Sequence, residues 1–395
     1  MTRLVRDRVT WLLYAQLGVF GYFLYGFGPV VPLLRHELEI SRTIAGLYGV
    51  GLAAGAVIGG TAFPYLLRRL GPGRTLWTGL AGLAAGAALL CLLPSVAGTL
   101  AATVVAMTFG IVMVSGISIA LTAHHGLAAP AAFSESNALA AGMGLLAPLL
   151  IGSAVNARLG WQPGLAVAIA LACLLALTAI FLGVRVPAAD PAAAPERRGR
   201  PPGRYWLAWV CLFATGSAEV CLSLWASEQL HENAGLGRGA AAAGMSAVLV
   251  GMVVGRAVGG RLALWLGTVP AMLGSLAVAA GGFGVFWIAT TPWLAITGLV
   301  ICGLGISLHF PLGLALTIQA TDGHPELAMP RNAYGMALGF GVVPFLLGAV
   351  ADRIGISGAF LLVPVCLAVA ATAVWLLQRV SPREPTTLAT ATPSP

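Results

Sequence analysis

A single carboxylate, Glu219, stands inside the apolar run ATGSAEVCLSLW (214–225). Thr215, Glu219, Ser223 and Ser227 recur every four residues, which on a helix makes one polar stripe. A carboxyl in such a stripe can take up and release a proton, as an ion-coupled device requires; the plainer alternative is a structural glutamate bonded to a neighbouring helix. His309, in GISLHFPLG, is a second titratable group in an apolar setting. Its charge changes near neutrality, so it would share a proton with Glu219, bond a ligand, or serve only as packing. Enzymatic chemistry has less support. RHELE (35–39) and HENAG (231–235) begin like HExxH but lack the second histidine, and no phosphate-cradling Gly-Lys-Ser/Thr loop is present. The six cysteines, Cys91, Cys173, Cys211, Cys221, Cys302 and Cys366, form no CxxC pair and read as small buried hydrophobes. The expectation is therefore no metal, no cofactor and no direct use of ATP.

The surroundings of these residues decide what they can do. Apolar residues make up 58% of the chain and charged residues 9%, with a mean hydropathy of +0.92, values of a chain solvated by lipid. All 21 basic residues are arginine; with 13 acidic residues they give a formal charge of +8. That charge sits in short loops, which argues against nucleic acid as a partner. A membrane helix needs roughly 20 apolar residues. Such runs recur at 11–34, 43–67, 75–94, 97–123, 136–156, 163–184, 205–229, 239–263, 268–290, 293–318, 331–350 and 358–378. Arg3, Arg6 and Arg8 precede the first run, which lacks a small-x-small cleavage site and is expected to remain as a membrane helix. Between the sixth and seventh spans RVPAADPAAAPERRGRPPGR (185–204) reads as a mobile linker. It separates six-helix bundles at 1–184 and 205–380, with 381–395 as a disordered tail. With the N-terminus inside, only Arg35, Arg42, Arg158, Arg238 and Arg353 fall outside, so the positive-inside rule places both termini in the cytoplasm of a multi-pass inner or plasma-membrane protein.

The two halves repeat. LAAGAVIGG (52–60) pairs with MVVGRAVGG (252–260), GISIALT (116–122) with PLGLALT (311–317), and APLLIG (147–152) with VPFLLG (343–348), in the same order and roughly 200 residues apart. Over nearly its whole length the chain resembles the major facilitator superfamily. After the second span that family carries Gly-x-Leu-x-Asp-Arg-x-Gly-Arg; here PYLLRRLGPGR (64–74) keeps Arg69, Gly71 and Arg74 but has Arg68 in the Asp place, and the loop GRLALWLG (260–267) has Leu264 there. Pro148 and Gly152 match part of an antiporter-associated motif of the fifth span, and Ala106 stands nearest to the arginine of proton-driven drug exporters. GSAEVCLSLW in the seventh span is similar to a pattern of sugar-permease-like branches. The resemblance implies an all-α membrane fold of twelve helices in two pseudo-twofold bundles, working by alternating access. It also implies a central cavity lined by spans 1, 4, 7 and 10.

On that frame Glu219 lies about 14 residues, or about 21 Å, into the seventh span, near the bilayer midplane. A charge there costs on the order of 2.5–3.5 kcal/mol, so it should meet a partner or water. Glu219 and His309 are the expected proton-coupling pair. Tyr14, Tyr22 and Tyr25 of the first span, Ser115, Ser118 and Thr122 of the fourth, and Thr215 and Ser223 of the seventh are the expected cavity lining, with interhelical bonding as the alternative for each. Arg68, Arg69, Gly71, Arg74, Pro148, Gly152, Arg256 and Pro344 are expected to gate or join the bundles. Arg256 is placed near the cytoplasmic end of its span, where it would snorkel or pair with a carboxylate. Gly51, Gly55 and Gly59, mirrored by Gly251, Gly255 and Gly259, read as contact ridges that slide as the halves rock. The expected function is secondary transport by a monomer, with a small-molecule substrate and protons as partners. Export of an apolar or cationic compound leads, since no mid-membrane arginine is evident for an anion. Uptake of a sugar-like or other polar nutrient and a non-transporting receptor or scaffold are the alternatives.

Overall fold

The computed structural model describes residues 4–184 and 199–380. The linker expected at 185–204 lies largely, and the tail at 381–395 wholly, outside those residues. The first half holds α1 (Arg8–Glu37), α2 (Arg42–Leu92), α3 (Val96–His125), α4 (Ala129–Asn156) and α5 (Gln162–Phe181). The second holds α6 (Gly203–Glu232), α7 (Arg238–Gly244), α8 (Ser246–Leu266), α9 (Thr268–Ile288), α10 (Pro292–Ile306), α11 (His309–Ala320), α12 (Pro325–Ala359) and α13 (Leu362–Val380).

These helices account for the twelve expected spans. α2 carries two of them, because Gly71 at φ 76° breaks the helix with a left-handed backbone that a side chain would oppose. Conversely, α7 with α8 and α10 with α11 each make one span, the first interrupted about two turns from its start and the second near its middle. Gly267 at φ 83° makes the corresponding turn after α8, so the repeat seen in sequence is also a repeat of backbone geometry.

Within each bundle the same pairs pack: α2 on α3 and α1 on α4 in the first, α8 on α10 and α6 on α12 in the second. Lipid supplies no hydrophobic drive between helices, so close packing by small residues must hold them. Gly55 lies against Met107 and the Val104 carbonyl of α3, and Gly255 against Ser307 and the Leu304 carbonyl of α10. The two ridges read from sequence are therefore in contact inside their own bundles. They are not the sliding surface, which corrects that expectation.

Both chain termini of the described structure and the linker lie at one end of the bundle, called here the linker side. There Asp7 caps α1, accepting from the Thr10 amide at 2.8 Å and from His124 Nε2 at 2.8 Å. Partial burial pushes the Asp7 carboxyl up, but the Thr10 and His124 bonds outweigh it and hold it below the usual carboxylate range. The stabilisation is thus present above the ordinary aspartate pKa and fades as pH falls through the lower folded value. Asp7→Asn is expected to cost about 0.5–1 kcal/mol, read as a lower unfolding midpoint at neutral pH that converges with wild type in acid.

Candidate functional site

The bundles meet along α1 with α6, α2 with α12, and α4 with α7 and α8. Glu219 sits midway along α6 on that interface, half-buried, with Arg256 of α8 as its charged neighbour. Tyr25 of α1 joins the same cluster, interacting with both Glu219 and Arg256. A carboxylate, a guanidinium and a phenol from three helices and both bundles thus converge at mid-depth. Arg256 itself is exposed. Of the two roles expected for Arg256, pairing with a carboxylate is the one brought about, and the inference that no arginine serves the middle of the membrane is corrected by its interaction with Glu219. The guanidinium partly offsets the cost of the buried carboxylate and leaves donors over for a ligand.

On the linker side the bundles are apart. A cleft of about 430 Å³ lies between α2, α3 and α12, lined by Ala56, Met107, Ile111, Ser115, Tyr334 and Phe340 among others. Met336 and Phe340 of its lining also pack on Gly216, three residues before Glu219 on α6.

The remaining expected residues divide. Ser115 lines the cleft and Tyr25 joins Glu219. Tyr22 does not face the cavity: it is fully buried and its hydroxyl donates to the Gly164 carbonyl at 2.5 Å, tying α1 to α5. Tyr14 is buried as well and bonds Glu135 of α4 at 3.3 Å. Ser118, Thr122 and Thr215 donate to carbonyls one turn back on their own helices, at 3.0, 2.9 and 2.9 Å. Ser223 presents its carbonyl to Gly28 at the crossing of α1 and α6. His309 is not brought to Glu219. It opens α11 after the break in its span, is 1% exposed, and lies near the Ser275 backbone of α9, with no well-aligned hydrogen bond among the described residues. Arg68, Arg69 and Arg74 are exposed around the Gly71 turn, with Arg69 over the Tyr65 ring at 5.3 Å.

The far side is closed by a contact that the sequence did not reveal. Arg35 Nη2 and Arg42 Nε both donate to Glu228 Oε1, at 2.9 and 2.7 Å, and Arg42 Nη2 donates to Glu232 at 2.5 Å. Asp352 of α12 accepts from the Arg42 and Thr43 amides at 2.9 and 2.8 Å and from the Thr43 hydroxyl at 2.6 Å, capping the start of α2 from the opposite bundle. Close backbone packing accompanies these bonds: Gly28 on Ser223, Gly46 on Phe345, Gly49 on the Phe340 carbonyl, and Gly152 on Gly239 and Ala243. Pro344 accepts from Trp225 at 3.1 Å beside the Gly46 crossing, and Pro148 is buried one turn before Gly152. Apart from the Tyr25–Arg256 and Ser246–Leu145 contacts nearer the middle, the side-chain hydrogen bonds and ion pairs found between the bundles among the described residues lie in this far half. One signal was available: the failed HExxH fragments contribute His36 and His231, whose rings meet across the interface at 6.4 Å.

Two pseudo-symmetric bundles, closed at one end and cleft at the other around a mid-depth acid, match a known architecture. Residues 13–329 match the profile described as Major Facilitator Superfamily. The chain belongs to the major facilitator superfamily. It is a membrane transporter rather than an enzyme. Solved structures similar to it include a bacterial homologue of the human lysosomal transporter Spinster, inward-facing and unoccupied, at 14% identity, 95% of this chain, 97% of that one and a TM-score of 0.76. The xylose transporter XylE from E. coli, partially occluded and inward open, aligns at 12% identity over 95% and 97% of the two chains with a TM-score of 0.72. The nucleoside transporter NupG aligns at 13% identity over 94% and 98%, with a TM-score of 0.70. At such identities the likeness concerns the fold.

Proposed function

We propose that this superfamily member is a proton-coupled secondary transporter of a small polar organic molecule bearing an anionic or strongly accepting group, and that the two enter the cavity together. The observation carrying the reading is the convergence of Glu219, Arg256 and Tyr25 between the bundles. While Glu219 is ionised it competes for Arg256. A proton on Glu219 frees the guanidinium, which then offers its donors to a substrate. Proton and substrate thereby favour each other's binding, the linkage that symport needs. Export of an apolar cation, which led on sequence grounds, loses its footing because a free arginine in the cavity disfavours a cation. The arginine distribution supports a cytoplasmic linker side, so the closed far side makes this conformation inward-facing.

The test is substrate-elicited proton movement. Purified protein in liposomes loaded with a pH-sensitive dye is challenged with sugars, nucleosides, amino acids and organic acids. Entry of protons with at least one acceptor-bearing compound is expected. Proton exit on addition of organic cations would replace the reading with antiport, and binding of any of these compounds without proton movement would replace it with a receptor.

A further inference from the structure

We propose that Glu228 is a second proton-binding site, reached through a small far-side pocket, and that its protonation loosens the contact between the two bundles. The proposal rests on the reading of two rocking bundles but not on the chemistry of Glu219, which lies about 14 Å back along α6. Glu228 is 2% exposed. Its Oε1 receives both arginines, while Oε2 has no hydrogen-bond partner among the described residues. The hydroxyl of Ser227 and Nε of Arg35 are likewise unpartnered. Unmet groups of this kind are uncommon in a buried setting, and each is a place where water or a proton belongs.

The space beside them is polar at one wall and closed by prolines at the other. A cavity of about 20 Å³ is lined by Pro29, Pro32, Ser227, Glu228, Arg238 and the two histidines, His36 and His231. That volume suits one water molecule, which has Glu228, Ser227 and an imidazole within its walls as partners. His36 reaches the surface through its contact with Arg238 at 3.4 Å, and His231 Nδ1 lies 2.6 Å from the Leu236 carbonyl. His36 and His231 line the same pocket as Glu228, so an imidazole is at hand to pass a proton toward Oε2.

Every charged group facing Glu228 bears on its proton. Arg35 and His36 come from α1, Arg42 from α2, His231 and Glu232 from α6, Arg238 from α7, and Asp352 approaches through Arg42 from α12. The two arginines favour the ionised carboxylate. Separation of the bundles would take those arginines away from α6. Because Oε1 alone ties Arg35 and one edge of Arg42 to α6, a proton on Oε2 removes the charge that both arginines meet and weakens two interbundle contacts at once. Closed with ionised Glu228 and open with protonated Glu228 are then the two states that far-side acid would interconvert.

Hydrogen exchange of the full-length protein in lipid nanodiscs tests this, with rates corrected for intrinsic pH dependence, at about pH 5 and about pH 8. The wild-type far-side segments 28–45 and 340–352 should exchange about tenfold faster at the acid pH. Glu228→Gln should show that faster rate at both pH values, while Glu232→Gln, at the exposed rim, keeps the pH dependence. A wild-type far side indifferent to pH, or a Glu228→Gln protein that folds and retains wild-type pH dependence, overturns the proposal. The wild-type measurement decides even where the variant does not fold. Because the readout is conformational, loss of this pH response leaves the substrate and proton assay standing, and failure of that assay leaves the latch standing.

Discussion

Glu219→Gln should abolish concentrative uptake while leaving substrate able to equilibrate. One pH unit across the membrane corresponds to about 1.4 kcal/mol, a factor of about ten in concentration for each proton carried. A gradient of about two units would then drive about a 100-fold accumulation in the wild type and none in the variant. Glutamine keeps the volume and hydrogen-bonding reach of the side chain and can still sit beside Arg256 and Tyr25, so the cluster should remain assembled. It also holds Arg256 less strongly than a carboxylate does, and substrate affinity should therefore become independent of pH at the level of the protonated wild type. Equilibrium exchange of labelled substrate, with no gradient applied, checks that the transport cycle survives. A Glu219→Gln protein that still concentrates substrate, with an unchanged pH profile, would return Glu219 to a structural role. Arg256→Gln is the informative contrast. It removes the partner and leaves the buried acid alone, so the loss should fall on substrate affinity and on stability together.

That pair shows where sequence reasoning succeeds and where it stops. The depth of Glu219 follows from counting residues along an apolar span, because helical rise is fixed. The helix count, the repeat and the place of the Gly71 turn follow for similar reasons of length and backbone freedom. What counting does not provide is rotation. A span that is apolar all round shows no preferred face, so His309 and Tyr22 had the right depth for the cavity but point into their own bundle. The partner of Arg256 was hidden for a related reason: in MVVGRAVGG it reads as an interfacial arginine free to snorkel or pair, until the acid of another helix is seen beside it. The far-side contact was least legible of all. Arg35, Arg42, Glu228, Glu232 and Asp352 each look like a solvated helix end, and their pairing joins segments distant in the chain.

The glycines carry the largest conformational prediction, because some of them are spacers for the closed state alone. A side chain at Gly152 would bring its Cβ to 2.7 Å from that of Ala243 and 2.8 Å from the Ala243 amide, both in the opposite bundle. At Gly55 it would meet Met107 Cβ and the Val104 carbonyl, each at 2.7 Å and both in its own bundle. At Gly152 the added Cβ would also meet the Gly239 carbonyl, closer still, so the clash there is the tighter of the two, and its thermodynamic consequence differs. Overpacking costs about 1–3 kcal/mol. At Gly55 that penalty falls on every folded conformation, whereas at Gly152 it is relieved as soon as the far side opens. Gly152→Val should therefore shift the equilibrium between conformations about tenfold to 100-fold toward the far-side-open form and slow turnover correspondingly, with little change in unfolding temperature. Gly55→Val should instead lower the unfolding temperature and leave the conformational balance near wild type. Gly60→Ala, where an added Cβ meets nothing within 4 Å, is the control and should change neither. Far-side hydrogen exchange and thermal unfolding, measured on the same three proteins, separate these outcomes. A Gly152→Val protein with a closed far side and normal turnover would mean that α4 and α7 can part without opening the gate, and that the polar contact around Glu228 holds the bundles together by itself.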